Sequence, residues 1–218
     1  MKLYQKSVLE VPIGEPTLEN RKSIAVFASG NGSNAENLFL FEKERQYLIK
    51  IKCLICDKSN AFVIQRAHSF KIPYFICPYR GDNDEQEKQI LHILNEFQIE
   101  WICLAGYMKI LSRSFIEKFY DKNLGVSRIL NIHPSLLPKF KGNNAYKRAF
   151  DSQDQWSGIT VHFVDEGIDT GPIIIQSSFR KYENDKFEDF VKRGQEVEYK
   201  IYRKALDLVL SPQTNITI

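Results

Sequence analysis

At 218 residues, the chain is long enough for one α/β domain with a substantial core, whereas two full domains would fit poorly. Hydrophobic residues make up 43% and charged residues 26% of the chain, a balance typical of globular proteins that excludes disordered and fibrous ones. The net charge of +3 is too small to predict binding to nucleic acid, and no apolar run approaches the roughly 20 residues that a membrane span requires.

The first 21 residues are polar, contain two prolines and show no clear period, so we expect an N-terminal extension over residues 1–21 and a single domain over 22–218. They also lack the apolar segment of a signal peptide, which favours a cytoplasmic protein. Cys53 and Cys56 have the spacing of zinc ligands, but they lie on a predicted strand that points them to opposite faces. We therefore expect buried free thiols and no metal.

Apolar strands alternate with amphipathic helices between residues 23 and 133. Helices are predicted over 35–48, from residue 59 or 60 to residue 68, from Asp82 onward and from Ser112 onward. The predicted strands are 23–30, 48–57, 72–77, 99–106 and 127–133. Strict alternation of this kind predicts a Rossmann-like, mostly parallel sheet with helices on both faces.

The rhythm changes after residue 133. Residues 145–150 form at most a short helix, and two strands over 158–167 and 172–180 follow each other directly. Successive strands without a helix between them predict an antiparallel addition to the sheet. A long amphipathic helix is expected from about Asp185 to Leu210.

The turn after the first strand reads ASGNGSN, residues 28–34, and leads into a helix. The free N–H groups and dipole of a helix N-terminus favour an anion. Gly30 and Gly32 allow the backbone to approach a phosphate closely, and Ser33 and Asn34 add side-chain donors.

Two kinds of ligand fit this turn. The spacing Gly30-x-Gly32-x-x-Ala35 matches a loose dinucleotide fingerprint, with Asp57 as a possible acceptor for ribose hydroxyls. The turn could equally hold a single phosphomonoester, or it could be a tight strand–helix connection without a ligand.

The stretch RILNIHPSLLP, residues 128–138, brings two polar side chains to the end of a buried strand. Asn131 and His133 are two positions apart and therefore leave the same face, and Pro134 disfavours a helix from this point. An amide and an imidazole at this edge suit oxyanion stabilisation and proton transfer. The alternative is a hydrogen-bonded pair that shapes the turn. We expect His162, in a later strand, to play a supporting or structural role.

The loop between the last two predicted strands, within residues 158–172, carries three acidic side chains. Asp165 and Glu166 have the character of solvated loop residues, whereas Asp169 precedes a Thr-Gly-Pro turn that can aim it inward. A carboxylate near His133 would raise the pKa of the imidazole and favour its protonated form.

Taken together, these segments resemble the phosphoribosylglycinamide formyltransferase family of folate-dependent enzymes. The resemblance covers about residues 23–210. The matching motifs, in family order, are ASGNGSN (28–34), LAGYMKILS (104–112), LNIHPSLLPKFKG (130–142) and GITVHFVDEGIDTGPIIIQ (158–176).

The resemblance implies a formyltransferase fold and a catalytic trio of Asn131, His133 and Asp169. The amine of 5'-phosphoribosylglycinamide would attack the formyl carbon of 10-formyltetrahydrofolate. Asn131 and protonated His133 would stabilise the oxyanion, and Asp169 would keep His133 charged and help to move the proton.

The resemblance also implies the binding residues. The turn with Gly30, Asn31, Gly32, Ser33 and Asn34 would hold the substrate phosphate, and Glu198 would bind the ribose hydroxyls. The residues implied for the folate co-substrate are Met108, Lys109, Ile110, Leu111 and Asp165. An arginine that helps to hold the phosphate in some relatives has no clear match here, although Arg80 is near, and residues 143–146 depart from the family pattern.

Three other functions stay open at this stage. A formyltransferase could act on another amine, such as a sugar nucleotide, and 10-formyltetrahydrofolate hydrolase would use water as the acceptor. A non-catalytic dinucleotide-binding module would leave the catalytic trio unexplained. The expected partners are small-molecule substrates rather than nucleic acid or membranes, for a monomer or a homodimer.

Overall fold

The computed structural model describes residues 21–211, so the predicted extension, apart from its last residue, lies outside the described residues, as do residues 212–218. The division into extension and domain stays a prediction. The elements are β1 (Lys22–Ala28), α1 (Ser33–Glu44), β2 (Ile49–Cys56), α2 (Val63–Ser69), β3 (Tyr74–Ile76), α3 (Asn83–Glu96), β4 (Trp101–Leu104), α4 (Arg113–Lys118), β5 (Tyr120–Asp121), β6 (Val126–Ser127), β7 (Ile129–His133), α5 (Ala145–Asp151), β8 (Trp156–Phe163), β9 (Ile173–Arg180) and α6 (Phe187–Leu210).

One seven-stranded sheet organises these elements in the order β3-β2-β1-β4-β7-β8-β9. The strands from β3 to β7 are parallel, and β8 and β9 add to the β7 edge in antiparallel fashion. The predicted fold class is therefore confirmed. The chain moves outward from β1 in one direction and then crosses to β4 on its other side, which makes β1 and β4 the switch point where open α/β sheets bind ligands.

Both faces of the sheet are apolar because helices cover both. On β1, Val26 belongs to the core beneath α1, α2 and α6, while Phe27 belongs to the core beneath α3 and α4. The same alternation puts Cys56 in the first core and Cys53 in the second, and both are free and buried. Among residues 21–211, no helix is long and apolar enough to cross a membrane.

Local sequence signals predict the first residues of some helices but not of others. Asp82 accepts a hydrogen bond from Asp84 N at 2.8 Å and Ser112 accepts one from Phe115 N at 3.1 Å, so both cap helices that begin where the sequence predicts. The expected start of α2 at residue 59 or 60 is wrong. This helix begins at Val63, whose amide donates to the carbonyl of a residue in the turn after β1, so a tertiary contact defines its first turn.

Candidate active site

A cavity of about 430 Å³ opens at the carboxyl ends of β1, β4 and β7. Every site residue that the family resemblance implies lines it, although the residues come from five separate segments of the chain. They are Gly30, Asn31, Gly32, Ser33, Asn34, Met108, Lys109, Ile110, Leu111, Asn131, His133, Asp165, Asp169 and Glu198. The fold thus gathers the predicted residues in one place, while their individual roles stay predictions.

The carboxylate of Asp169 joins the other two members of the predicted trio. Its Oδ1 lies 3.3 Å from Asn131 Nδ2, and its Oδ2 lies 3.2 Å from His133 Nδ1. Asn131 and His133 leave the same face of β7, as the two-residue period predicts. An amide donor, an imidazole and a carboxylate therefore meet in direct contact at the base of the cavity.

The loop before β9 aims Asp169 inward. Asp169 has a φ of 51°, and its Oδ2 accepts a hydrogen bond of 2.7 Å from Gly142 N. Asp165 Oδ1 accepts from Gly167 N at 3.1 Å and from Thr170 Oγ1 at 2.6 Å, which closes the loop on itself. The observed contacts of Asp165 therefore stabilise the loop that carries Asp169.

The ionisation of the trio depends on burial as well as on charge. Burial lowers the pKa of His133, which is only 5% exposed, below its ordinary value, while Asp169 raises it as the sequence predicts. Sequence alone gives no measure of this burial. Burial raises the pKa of Asp169, but contacts with His162, the Gly142 amide and His133 together lower it to about 2. The carboxylate of Asp169 is therefore ionised at neutral pH, and the two ring nitrogens of His133 lie beside two oxygen acceptors, Asp169 Oδ2 and Phe140 O.

His162 supports the trio from the neighbouring strand. It pairs with Asn131 across the β7–β8 ladder, and its Nε2 lies 3.2 Å from Asn131 Nδ2. Its Nδ1 lies 2.7 Å from the carbonyl oxygen of Phe163. Its Nε2 also lies 3.5 Å from Asp169 Oδ1, so His162 contacts two members of the trio.

The turn after β1 leaves a helix N-terminus open to the cavity. Gly32, at the N-cap of α1, has a φ of 78° and makes no side-chain capping bond. A Cβ on Gly32 would overlap Val63, whereas a Cβ on Gly30 would meet nothing within 4 Å. The buried Oδ1 of Asn34 has no hydrogen-bond partner. The backbone donors at this helix N-terminus thus face the cavity.

Arg66 braces this turn, and the sequence analysis missed it. Its Nε donates to Asn31 O at 2.9 Å and its Nη2 to Asn31 Oδ1 at 2.8 Å, while it also pairs with Glu36. Only the fold brings α2 against the turn, so no local signal marked this residue. Arg80, by contrast, lines a separate surface cavity that also includes Glu85.

Glu198 on α6 is 6% exposed and connects three helices. Its Oε2 accepts a hydrogen bond of 2.7 Å from Asn34, and its Oε1 accepts one of 2.7 Å from the hydroxyl of Tyr146. Burial raises the pKa of Glu198, and these two donors oppose that effect. Tyr146 was not predicted. Its ring occupies space that a side chain at Gly194 would fill.

The segment after β4 forms an apolar lip of the cavity. Met108 and Ile110 are 64% and 65% exposed, whereas Leu111 is buried in the core. The amide of Met108 donates to Ser29 Oγ at 2.9 Å, and Lys109 Nζ lies 4.2 Å from the ring centroid of Tyr79. Two exposed apolar side chains beside a polar pocket suit a flat heteroaromatic ligand.

Comparisons with known proteins agree with this geometry. The family model described as formyl transferase matches residues 22–206. The chain belongs to the formyl transferase family. This formyl transferase is 40% identical to the phosphoribosylglycinamide formyltransferase of Bacillus subtilis over 191 residues, which cover 87% of the chain and 95% of that relative.

Two further relatives extend the comparison. The phosphoribosylglycinamide formyltransferase of Haemophilus influenzae is 39% identical to this formyl transferase over 183 residues, covering 83% of the chain and 84% of that relative. A crystal structure of phosphoribosylglycinamide formyltransferase from Bacillus halodurans superposes with a TM-score of 0.82 at 36% identity, covering 89% of this chain and 98% of that one.

Proposed function

We propose that this formyl transferase moves the formyl group of 10-formyltetrahydrofolate to the amine of 5'-phosphoribosylglycinamide, a step of purine (IMP) biosynthesis. The observation that carries the proposal is the contact of Asp169 with both Asn131 and His133, in a cavity that also reaches an uncapped helix N-terminus. The names of the relatives support the same acceptor.

In the proposed mechanism, the amine forms a bond to the formyl carbon and the formyl oxygen becomes an oxyanion. Asn131 Nδ2 donates a hydrogen bond to that oxygen. Neutral His133 takes a proton from the attacking amine, and ionised Asp169 stabilises the imidazolium that results. The oxyanion then re-forms the carbonyl, the bond to the folate nitrogen breaks, and His133 gives its proton to that nitrogen.

The acceptor would lie across the turn after β1. The phosphate accepts hydrogen bonds from the N-terminal amides of α1. Both oxygens of Glu198 already accept one hydrogen bond, and each can accept another from a ribose hydroxyl. The folate ring would rest on the apolar lip formed by Met108 and Ile110.

The position of Asp57 does not favour the hypothesis of a dinucleotide-binding module. Asp57, the expected ribose acceptor, is 7% exposed and lies outside the cavity lining. The trio would also have no role in a binding module. We further propose that the enzyme works in the cytosol, since all four cysteines are free and buried.

Donor consumption with three acceptors tests the proposed function. We expect rapid loss of 10-formyltetrahydrofolate with phosphoribosylglycinamide, much slower loss with the dephosphorylated acceptor, and negligible loss with no acceptor. Equal rates in all three reactions would indicate a hydrolase. Equal rates with the phosphorylated and dephosphorylated acceptors would show that the enzyme does not bind the phosphate.

Gly30→Ala tests the phosphate turn without disturbing the fold, because the new Cβ meets no atom within 4 Å. We expect KM for phosphoribosylglycinamide to rise about tenfold or more, since a charge-assisted hydrogen bond contributes roughly 1.5–3 kcal/mol. KM for the folate and the thermal midpoint should stay as in the wild type and serve as internal controls. An unchanged acceptor KM would show that the phosphate does not approach this backbone.

A further inference from the structure

The turn over residues 140–142 touches both sides of the catalytic imidazole. His133 Nε2 lies 2.9 Å from the carbonyl oxygen of Phe140. Gly142 N donates at 2.7 Å to the same Asp169 oxygen that lies 3.2 Å from His133 Nδ1. The position of this turn therefore affects the partner of each ring nitrogen.

One side chain holds the turn from outside. Arg148 on α5 donates through Nη2 to Phe140 O at 2.6 Å, to Lys141 O, and to Gly142 O at 3.4 Å. Phe140 has a left-handed φ of 57°, which costs free energy for a residue other than glycine, so contacts from outside help to hold this backbone. All three contacts come from one terminal nitrogen of Arg148, which reaches the carbonyl oxygens at the end of a long side chain.

We propose that Arg148 is a positioning residue that holds the 140–142 turn against His133 and keeps the Phe140 carbonyl paired when the imidazole turns to the substrate. This inference rests on the proposed role of His133 in formyl transfer. It concerns a residue that sequence reasoning did not single out.

The carbonyl oxygen of Phe140 contacts both His133 and Arg148, and this gives Arg148 a role when His133 moves. In the structure, His133 Nε2 faces Phe140 O and must leave it to exchange a proton with a substrate. A carbonyl left without a donor would cost free energy, which would hold the imidazole away from the substrate. Because Arg148 continues to donate to Phe140 O, the imidazole can leave at lower cost.

The positive charge of Arg148 also affects the pKa of His133. Burial, His162 and Arg148 lower the pKa of His133, while Asp169 and the Phe140 carbonyl raise it. Removal of the guanidinium charge should therefore raise the pKa of His133. A residue that only stabilised the helix would leave this pKa unchanged.

Three variants separate these effects. Arg148→Gln removes the charge and shortens the side chain, and Arg148→Lys keeps the charge on a compact ammonium group. Lys147→Gln is the matched control, because Lys147 is the neighbouring cation on α5 and pairs with Asp151 at 2.7 Å rather than with the turn. The measurements are kcat, both KM values, the pH dependence of kcat/KM, and the pKa of His133 by NMR of histidine-labelled full-length protein.

For Arg148→Gln we expect kcat to fall about tenfold or more, as for other small displacements of catalytic groups, with KM values changed far less. The pKa of His133 should rise, and the corresponding limb of the pH profile should move with it. Arg148→Lys should keep the pKa near that of the wild type and recover part of kcat. Lys147→Gln should match the wild type in every measurement.

Two results would overturn the inference. One is an Arg148→Gln enzyme with the kcat and the His133 pKa of Lys147→Gln. The other is an equal loss of kcat in both Arg148 variants with an unchanged His133 pKa, which would indicate general loss of structure. Failure of the proposed function would instead appear as absence of transfer by the wild type, and the NMR comparison would still test the link between Arg148 and His133.

Discussion

His133→Gln is expected to lower kcat for formyl transfer by about 10²–10⁴, the usual contribution of a positioned general acid–base. His133 is buried at the base of the cavity, between the carboxylate of Asp169 and the carbonyl of Phe140. Glutamine fills similar space and can form hydrogen bonds, but it cannot carry a proton from the amine to the folate nitrogen. Binding of both substrates should change much less than turnover.

The control for this variant is His92→Gln, because His92 is an exposed histidine on α3 outside the cavity lining. The measurement is steady-state kcat and KM for both substrates, with circular dichroism to establish that each variant is folded. A folded His133→Gln enzyme with wild-type kcat would remove this residue from the mechanism.

Asp169→Asn is expected to lower kcat by about 10² or more, since it removes the charge that stabilises the imidazolium. Donors lie at both oxygens of this carboxylate: Asn131 Nδ2 at Oδ1, and Gly142 N and the ring of His133 at Oδ2, while His162 Nε2 lies 3.5 Å from Oδ1. An asparagine therefore turns its NH₂ group toward a donor in either orientation. An isosteric amide therefore cannot replace the carboxylate of Asp169 beside His133.

The same variant makes a prediction about ionisation. Asp169 raises the pKa of His133, so Asp169→Asn should lower that pKa further below its wild-type value. Histidine NMR measures this shift directly. Glu166→Gln is the matched control, because Glu166 lies on the same loop and contacts Arg113 at its exposed end. An unchanged His133 pKa in Asp169→Asn would contradict the contact on which the mechanism depends.

Much of the fold could be predicted from local sequence patterns. Alternating apolar strands and amphipathic helices predict the parallel sheet, and two successive strands predict the antiparallel β8 and β9. The two-residue period of β7 alone puts Asn131 and His133 on one face. Asp82 and Ser112 cap their helices through bonds to nearby amides, which is why they could be recognised from the sequence.

The features that escaped prediction depend on contacts that form only when the chain is folded. Arg66 and Arg148 have the composition of ordinary helix surfaces, and only the fold brings them to the turns that they hold. The short β5–β6 pair has two residues in each strand, too few for a period to show. The inward direction of Asp169 depends on its positive φ and on the bonds that close its loop.

The pKa of His133 could not be predicted from the sequence for a different reason. A nearby carboxylate could be expected from the motif, and its effect has the expected sign. Burial has the opposite effect and is larger, and it depends on how closely the 140–142 turn and the β8–β9 loop pack over the ring. The protonation state of the catalytic group is therefore a property of the packed site rather than of the motif.

Transfer of an isotopic label tests the central claim most directly. The wild-type protein would be incubated with 10-formyltetrahydrofolate carrying ¹³C at the formyl carbon, together with phosphoribosylglycinamide, and the products followed by NMR. The proposed function predicts that the label appears on the amine of the glycinamide, with little free formate. Label released as formate at the same rate with and without the acceptor would contradict it.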